Sequence, residues 1–399
     1  MNKLVLAILL LFSVSFLQAQ NDSKDAQKEA YTFTNTLEIP HTSVKNQYRS
    51  GTCWSFSGLA FLEAEVLRKT KKEVDLSEMF VVYKSYYEKS LKYVRMHGSI
   101  NYGGGGAFND VTDVLVAHGA IPEEIYKGIN YKEENHIHGE MDNLLKAMVD
   151  AIVKNPNRQL SPVWPLAVAG TLNAYLGEIP EKFTVEGKEY TPLTYAKDYL
   201  QLNPEDYVMV TSFSHHPFYK PFILEVPDNW AMGLVYNLPL AEMMQTIDNA
   251  LDKGYTVAWA ADVSEKGFQW SKGFAVVPDA EAKEFAGLEQ AKWEELSEKD
   301  RLKMIYSFDK PVAEKTITQE LRQKDFDNFQ TTDDHGMLIT GKAKDQNGNE
   351  YYIIKNSWGT DQVYKGYFYA SKAFVAFKTT SLLINKDSFT KETAKKLNL

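Results

Sequence analysis

Cysteine is almost absent from this 399-residue sequence, and the single residue present, Cys53, cannot form a disulfide within the chain. The fold must therefore be stabilised by packing rather than by cross-links. A lone cysteine is often a small buried apolar residue, and on the count alone this interpretation is favoured over a reactive thiol. The residues around Cys53 distinguish a buried apolar residue from a reactive thiol.

An excess of positive charge and long apolar runs are lacking as well. The formal net charge is -9 at pH 7, which argues against nucleic acid and other polyanions as partners. Beyond the first 16 residues no apolar run is long enough to cross a bilayer. Apolar residues make up 44% of the chain and charged residues 24%, so the composition is that of an ordinary globular protein.

The first 19 residues have the pattern of a secretory signal peptide. Lys3 gives a positive start, residues 4–16 are almost continuously apolar, and Ala19 provides a plausible cleavage site. An apolar run this short is typical of a signal rather than of a membrane span. We therefore expect the protein to be exported, to a periplasm or out of the cell, and to have no membrane span once the signal is removed.

Hydrophobic periodicity divides the rest of the chain into segments of different character. Residues 20–46 are predicted as an N-terminal arm and residues 47–130 as a helical lobe that carries Cys53. Residues 131–250 mix helical stretches with proline-broken loops and are predicted as a long central insertion. Residues 251–399 contain short strands rich in β-branched and aromatic residues, which indicate a β-rich lobe followed by a C-terminal tail.

The position of Cys53 favours a reactive thiol. Apolar residues recur at helical spacing over Ser55–Lys69, and Ser50 and Thr52 are candidate caps for this helix. The cysteine then lies in the first turn, where unpaired backbone N–H groups and the positive end of the helix dipole stabilise a thiolate. A cysteine that only fills space would be expected further along the apolar stripe.

A nucleophilic thiol needs a base, and His335 is the best placed of the eight histidines. It leads into the predicted strand GMLITG, and Asn356 ends the next strand in KNSWG. Adjacent antiparallel strands could bring the two together, so that the amide oxygen accepts from one imidazole nitrogen while the other faces the sulfur. Taken alone, NSWG could equally be a plain exit from a strand into a turn.

Two further motifs have a possible chemical role. The side chain of Gln47 could donate a hydrogen bond beside the backbone N–H of Cys53, and together these groups would form an oxyanion hole. His136 and His138, in EENHIHGEMD, could be a pair of metal ligands with a nearby glutamate. A solvated polar segment is the more common explanation of such a pattern.

These motifs together resemble those of the papain-like cysteine peptidases. The family signature C-G-[SA]-C-[WY] appears as SGTCW, with Ser50 in place of the first cysteine. The segments DLSEMFVVY, DDHGMLITG and YYIIKNSWG are similar to the Leu-Ser-Glu, histidine and asparagine segments of the family. The long centre, which includes YLGEIPEKFTVEGKEY and YNLPLAEM, resembles the bleomycin hydrolase and aminopeptidase C branch.

The resemblance implies an α+β fold of two lobes, one helical and one β-barrel-like, with a cleft between them. It implies that Cys53 is the nucleophile, His335 the general base and acid, Asn356 the orienting amide and Gln47 the oxyanion donor. It also implies that Trp358 is an indole that shields the bond between His335 and Asn356 from water. Gly105 and Gly106 are implied to belong to a loop that pairs with the substrate backbone.

The implied reaction is hydrolysis of peptide bonds through a thioester on Cys53, with no metal and no organic cofactor. The branch removes amino-terminal residues and assembles as hexamers, and the C-terminal tail of each chain enters the cleft. The tail of this sequence, KDSFTKETAKKLNL, does not resemble that ending, and Gly336 replaces an expected alanine after His335. The alternatives to an aminopeptidase are a papain-like endopeptidase and a peptide-binding protein without turnover.

Overall fold

The computed structural model describes residues 31–157, 159–279 and 297–399. The predicted signal peptide, at residues 1–19, lies outside the described residues, as does the first part of the predicted arm. In the part of the chain that is described, no helix is both long and apolar enough to cross a membrane.

Helices fill the first half of the described chain and return near its end. Those longer than six residues are α1 (Cys53–Thr70), α2 (Glu78–Arg95), α3 (Phe108–His118), α4 (Gly139–Val153), α5 (Trp164–Leu176), α6 (Leu240–Asp252), α7 (Glu298–Ile305), α8 (Gln319–Asp327), α9 (Lys372–Lys378) and α10 (Lys391–Leu397).

The strands form one large sheet and a separate hairpin. They are β1 (Phe33–Glu38), β2 (Phe183–Val185), β3 (Lys188–Tyr190), β4 (Tyr207–Thr211), β5 (Pro221–Ile223), β6 (Leu234–Asn237), β7 (Val257–Ala261), β8 (Phe268–Gln269), β9 (Phe274–Ala275), β10 (His335–Asp345), β11 (Glu350–Lys355), β12 (Tyr367–Ser371) and β13 (Thr379–Asn385). The large sheet has the order β5-β6-β4-β13-β7-β10-β11-β12-β9-β8, with β1 also on β10, while β2 and β3 pair with each other.

The helical lobe is built by α1 to α5, which pack against one another. The helix predicted after Cys53 is confirmed as α1, although it begins two residues before the predicted start. Helix α2 is capped at its N-terminus, because the side chain of Ser77 accepts a hydrogen bond from the N–H of Phe80 at 3.1 Å. Since α1 also lies against β7 and β10, its N-terminus is held where the two lobes meet. The predicted α+β class, with a helical and a β-rich lobe, is confirmed.

The strands predicted around His335 and Asn356 are confirmed as β10 and β11, and they pair antiparallel with Leu338 opposite Lys355. His335 is the first residue of β10, and Asn356 directly follows β11. The other edge of β10 begins with His335 opposite Ala261 of β7. This register brings two residues that are 21 positions apart in the sequence to the same end of the sheet.

The central segment contributes to both lobes. It supplies α4 and α5 to the helical lobe, and it extends the sheet through β4, which pairs with β13. A loop of this segment, residues 224–233, connects β5 to β6. The central segment therefore brings side chains close to the junction of the lobes.

The arm and the C-terminal tail are both fastened to the fold. The arm strand β1 pairs with the second half of β10, and Lys45 forms an ion pair of 3.0 Å with the buried Glu63 of α1. In the tail, Thr393 donates to Glu242 of α6 at 2.9 Å, and Leu397 lies in the core of the β-rich lobe. The tail thus packs against α6.

Candidate active site

Cys53 is the first residue of α1, as the position of the motif suggested. The predicted capping of this helix is wrong, because the Thr52 side chain makes no capping bond and the Ser50 hydroxyl donates to the Gln47 carbonyl at 2.8 Å. The first N–H groups of a helix have no partner within it. They are therefore available to a negative charge at the Cys53 sulfur.

Burial dominates the acidity of the thiol. It raises the pKa of Cys53 to about 12, while hydrogen bonds from the backbone at Gly336 and Trp54 lower that pKa. Nearby charges of Asp228 and Asp333 raise it further. A thiolate in this place consequently depends on a positive charge that forms beside it.

His335 is held by Asn356 in a defined orientation. The Nε2 atom of the ring lies 2.7 Å from the Asn356 Oδ1, which also accepts from the N–H of Ser357 at 2.8 Å. Because this oxygen only accepts, Nε2 carries a proton and the neutral ring has its lone pair on Nδ1. Burial lowers the pKa of His335 to about 4, and the bond to Asn356 opposes that shift.

One indole covers the ring, and a second indole packs against the first. Trp358 stacks on His335 with ring centroids 4.5 Å apart, and Trp270 meets Trp358 edge-on at 5.2 Å. His335 and Asn356 are only 5% and 2% exposed. The hydrogen bond between them is therefore shielded from water, as the resemblance implied for Trp358.

Gln47 lies beside both halves of the site. Its Oε1 accepts from the Ser357 hydroxyl at 2.7 Å, and its Nε2 donates to the Ser50 carbonyl at 2.8 Å. An amide nitrogen has two protons, so one N–H of Gln47 remains for another acceptor. Gln47 thus links the strand end that carries Asn356 to the turn before Cys53.

The glycine loop, residues 103–106, is fixed by hydrogen bonds to its carbonyl groups. Trp54 Nε1 donates to the Gly104 carbonyl at 3.1 Å, and the buried Lys89 donates to the carbonyls of Gly103 and Gly105. Gly106 needs to be glycine, because a Cβ there would lie 2.8 Å from the Trp54 ring. The loop backbone can therefore approach α1 closely.

A cleft between the lobes is lined by Cys53, His335 and Gly106. Gly105 lies beside it rather than in its lining. The rest of the lining is partly apolar and partly acidic, and it includes Phe108, Met209, Leu224, Val226, Asp228, Asp333 and Asp334. In the described part of the chain, no residue after Ser381 lines this cleft, so the C-terminal tail leaves it open.

Comparisons with known proteins are consistent with this geometry. The model of the Peptidase C1-like family matches residues 6–97 and 297–399. Aminopeptidase C of Lactobacillus delbrueckii subsp. lactis is 24% identical over 404 residues, which cover 91% of this chain and 83% of that protein. The crystal structure of PepW from Lactobacillus rhamnosis superposes with a TM-score of 0.69 at 18% identity, covering 95% of this chain and 86% of that one. The chain is similar to the papain-like cysteine peptidases, and in particular to the aminopeptidase C branch, whose fold it shares.

Another member of the branch gives a similar match. Aminopeptidase E of Lactobacillus helveticus is 23% identical over 386 residues, covering 86% of this chain and 84% of that protein. The matches run through the central segment as well as through the two ends of the chain. The long centre is therefore shared with these papain-like relatives.

One departure from the papain-like pattern has a steric reason. A Cβ on Gly336 would lie 2.7 Å from the Ser57 hydroxyl and 3.3 Å from the Cα of Trp54. Ser57 is held in place because its hydroxyl donates to the Cys53 carbonyl at 2.6 Å. Glycine at this position lets β10 approach the start of α1.

The structure adds residues beside the candidate site that sequence reasoning missed. Trp270 covers Trp358, and the loop that carries Asp228 reaches the cleft from the central segment. Polar residues in the stretch VPDNW were the available signal for this loop. Only the fold shows that it lies opposite a cysteine far away in the sequence.

The hypothesis of a solvated segment at His136 and His138 is wrong, because the two side chains are 9% and 1% exposed. In the described residues no third metal-binding side chain joins them, so the alternative of a metal pair gains no support. His136 Nδ1 and both ring nitrogens of His138 have no hydrogen-bond partner. Burial lowers the pKa of His136 to about 4 and that of His138 to about 3.

The two buried histidines predict a loss of stability in acid. Their pKa values are lower in the folded than in the unfolded chain, so unfolding takes up protons and the free energy of unfolding falls as the pH drops below about 6.5. The contribution of His138 to this fall is on the order of 1.4 kcal/mol per pH unit until the pH approaches its folded pKa. We expect the His138→Leu variant to lack this contribution. The free energy of unfolding is measured by urea unfolding at pH 7.5, 6.0 and 5.0.

The matched control is His97→Asn, which changes an exposed histidine. It should leave the slope of the free energy of unfolding against pH as it is in the parent protein. A parental slope in His138→Leu would show that the protonation of His138 does not drive the acid lability.

A second histidine cluster, His215 and His216 with Glu225, brings three possible metal-binding side chains together. Gln323 Nε2 donates to His215 Nδ1 at 3.0 Å, so the proton of the neutral ring lies on Nε2. His215 Nε2 then donates to Glu225 at 2.9 Å. The hydrogen bonds thus account for this cluster without a metal ion.

Proposed function

We propose that the protein is a cysteine aminopeptidase, which removes residues from the amino-terminal end of peptides through a thioester on Cys53. The observation that carries this proposal is the arrangement at one end of the sheet, where His335 is oriented by Asn356 and covered by Trp358, in the same cleft as the Cys53 thiol. Peptides are the substrates.

The residues present can perform both halves of the reaction. In acylation, the sulfur of Cys53 bonds to the carbonyl carbon of the scissile bond, and the thiol proton passes to Nδ1 of His335. The developing oxyanion accepts hydrogen bonds from the Gln47 amide and the Cys53 N–H. His335 then gives its proton to the leaving amine, and the bond between carbon and nitrogen breaks to leave a thioester.

In deacylation, a water molecule attacks the thioester carbon while His335 takes one of its protons. The bond between carbon and sulfur breaks, the carboxylic acid product leaves, and the proton returns to the sulfur. Asn356 keeps the proton on Nε2 throughout, so that Nδ1 is the atom that exchanges protons. Trp358 keeps water away from that bond.

Two observations favour an exopeptidase over an endopeptidase. The relatives described above are named aminopeptidases, and the cleft contains carboxylates that suit a free amino group. The hexamer implied by the resemblance stays a prediction, and so does export, which rests on the signal-like pattern of residues 1–19.

The function is tested with two fluorogenic amides that have the same side chain, one with a free amino group and one N-acetylated. We expect the free amine to be cleaved with a kcat/KM at least about 10²-fold higher, because a site that hydrogen-bonds a substrate group rejects analogues without it. A preference for the acetylated substrate would favour the endopeptidase. Tight peptide binding without cleavage of either substrate would favour the binding protein.

A further inference from the structure

Asp228 lines the cleft and lies against the glycine loop. Its carboxylate covers the α-carbon of Gly105 so closely that a Cβ added to this glycine would lie 2.1 Å from Asp228 Oδ2. A peptide that runs along the loop backbone from Cys53 therefore meets a carboxylate in place of open space. The side chain presents acceptor atoms to a ligand that reaches this part of the cleft.

The loop that carries Asp228 is rigidly held. The neighbouring Asn229 donates from Nδ2 to the carbonyls of Leu224 and Gly233, at 2.9 and 3.1 Å, and the next residue, Trp230, donates to Asp110 at 2.8 Å. Asn229 and Trp230 are both buried. The carboxylate is therefore fixed before any substrate arrives, which lowers the entropic cost of binding.

The charge of this carboxylate is only partly offset within the described residues, by the nearby Lys89. Asp228 accepts from the amide of Asn101 at 3.2 Å, and no lysine, arginine or histidine forms an ion pair with it. The nearby Lys89 donates to the carbonyls of the glycine loop. Asp333, also in the cleft lining, accepts from the Thr380 hydroxyl at 3.2 Å and likewise forms no ion pair.

The two carboxylates influence each other and the thiol. Burial, followed by the charge of Asp228, raises the pKa of Asp333 to about 7. Both carboxylates also raise the pKa of Cys53. A positive charge placed between them would relieve this repulsion and make a thiolate easier to form.

We propose that Asp228, assisted by Asp333, binds the free α-ammonium group of the substrate and closes the cleft beyond its first residue. An ammonium group offers three N–H donors, and charge-assisted hydrogen bonds to carboxylates are among the stronger hydrogen bonds. The C-terminal tail leaves the cleft open. The central segment therefore supplies the group that fixes how far from the amino end the peptide is cleaved. This inference rests on the proposed aminopeptidase function.

A second consequence concerns the order of events. In the empty cleft the carboxylates oppose ionisation of Cys53, and a bound ammonium group offsets them. The nucleophile is then activated when a substrate with a free amino end is in place, and a blocked peptide loses this assistance along with its hydrogen bonds.

The test compares Asp228→Asn with Asp198→Asn, which removes the same charge from an exposed residue outside the cleft. In Asp228→Asn we expect kcat/KM for the free-amine substrate to fall by about 10²-fold, because one partner of a charge pair is lost. The N-acetylated substrate should be cleaved as well as before or better. Asp198→Asn should keep the parental ratio of the two substrates.

The rate of alkylation of Cys53 by iodoacetamide at pH 7 provides a second readout. If Asp228 had only a structural role, its replacement would not make alkylation faster. Removing the negative charge lowers the thiol pKa, so alkylation should be faster by roughly threefold or more in the variant. The measurement needs no turnover, and Asp333→Asn offers a second variant if Asp228→Asn does not fold.

The outcomes separate the two proposals. A parent protein that cleaves neither substrate would overturn the proposed function. A parent protein that prefers free amines, together with an Asp228→Asn variant of unchanged preference, would overturn the role of Asp228 alone. Equal losses on both substrates with slower alkylation would also contradict that role, since they indicate damage to the site.

Discussion

Replacing Cys53 with alanine should lower kcat/KM for peptide hydrolysis by about 10⁴-fold or more, because no other group in the cleft can form the thioester. Cys53 is the only cysteine in the sequence, so the variant has no thiol. It retains only the groups that bind the substrate and polarise its carbonyl. The effect is measured with the free-amine amide that serves as the reference substrate, after purification of both proteins under the same conditions.

The single cysteine makes the accompanying labelling experiment unusually clean. A thiol-directed epoxide should add one label per parent chain and none to Cys53→Ala, as read from intact mass. The control is the thermal unfolding of the variant, which should stay close to that of the parent. Activity that survived the substitution would contradict the assignment of the nucleophile.

Replacing His335 with glutamine should lower kcat by about 10²- to 10⁴-fold, which is the usual contribution of a general acid and base. Glutamine can still hydrogen-bond to Asn356, but it cannot exchange the thiol proton. The loss should therefore appear mainly in kcat and less in KM, because the side chain acts on the reacting atoms and not on the remote parts of the substrate.

The pH profile of kcat distinguishes this role from a structural one. The parent should show a limb that reports the protonation of the imidazole in the substrate complex, and the variant should lose that limb. Asn356→Ala is the companion variant: it retains the base but frees the ring, so a smaller loss is expected. A glutamine variant with the parental profile would place the base elsewhere.

The parts of the site that the sequence predicts are those encoded by short-range patterns. Helical spacing locates α1 and with it Cys53, and short runs of β-branched and aromatic residues locate β10 and β11. Because these two strands are joined by a short turn, their pairing follows from adjacency, and the bond between His335 and Asn356 follows from the pairing.

The parts that the sequence does not predict depend on contacts between distant segments. Asp228 belongs to a loop of the central segment, and no local pattern states that this loop meets the glycine loop. Burial of His138 is equally hidden, since a polar sequence gives no sign that its backbone pairs with Arg49 and turns the rings inward. The prediction that Ser50 caps α1 was wrong because the Ser50 hydroxyl donates to the Gln47 carbonyl instead.

The arm strand has a consequence for maturation. Residues 33–38 complete the edge of β10, the strand that carries His335 at its other end, and Lys45 forms an ion pair with Glu63, a buried carboxylate of α1. Proteolytic trimming of β1 would strip an edge strand from β10, and trimming past Lys45 would also remove the ion-pair partner of Glu63. We therefore expect such trimming to lower activity instead of releasing the enzyme from a zymogen. Any processing that preserves activity has to stop before β1 begins.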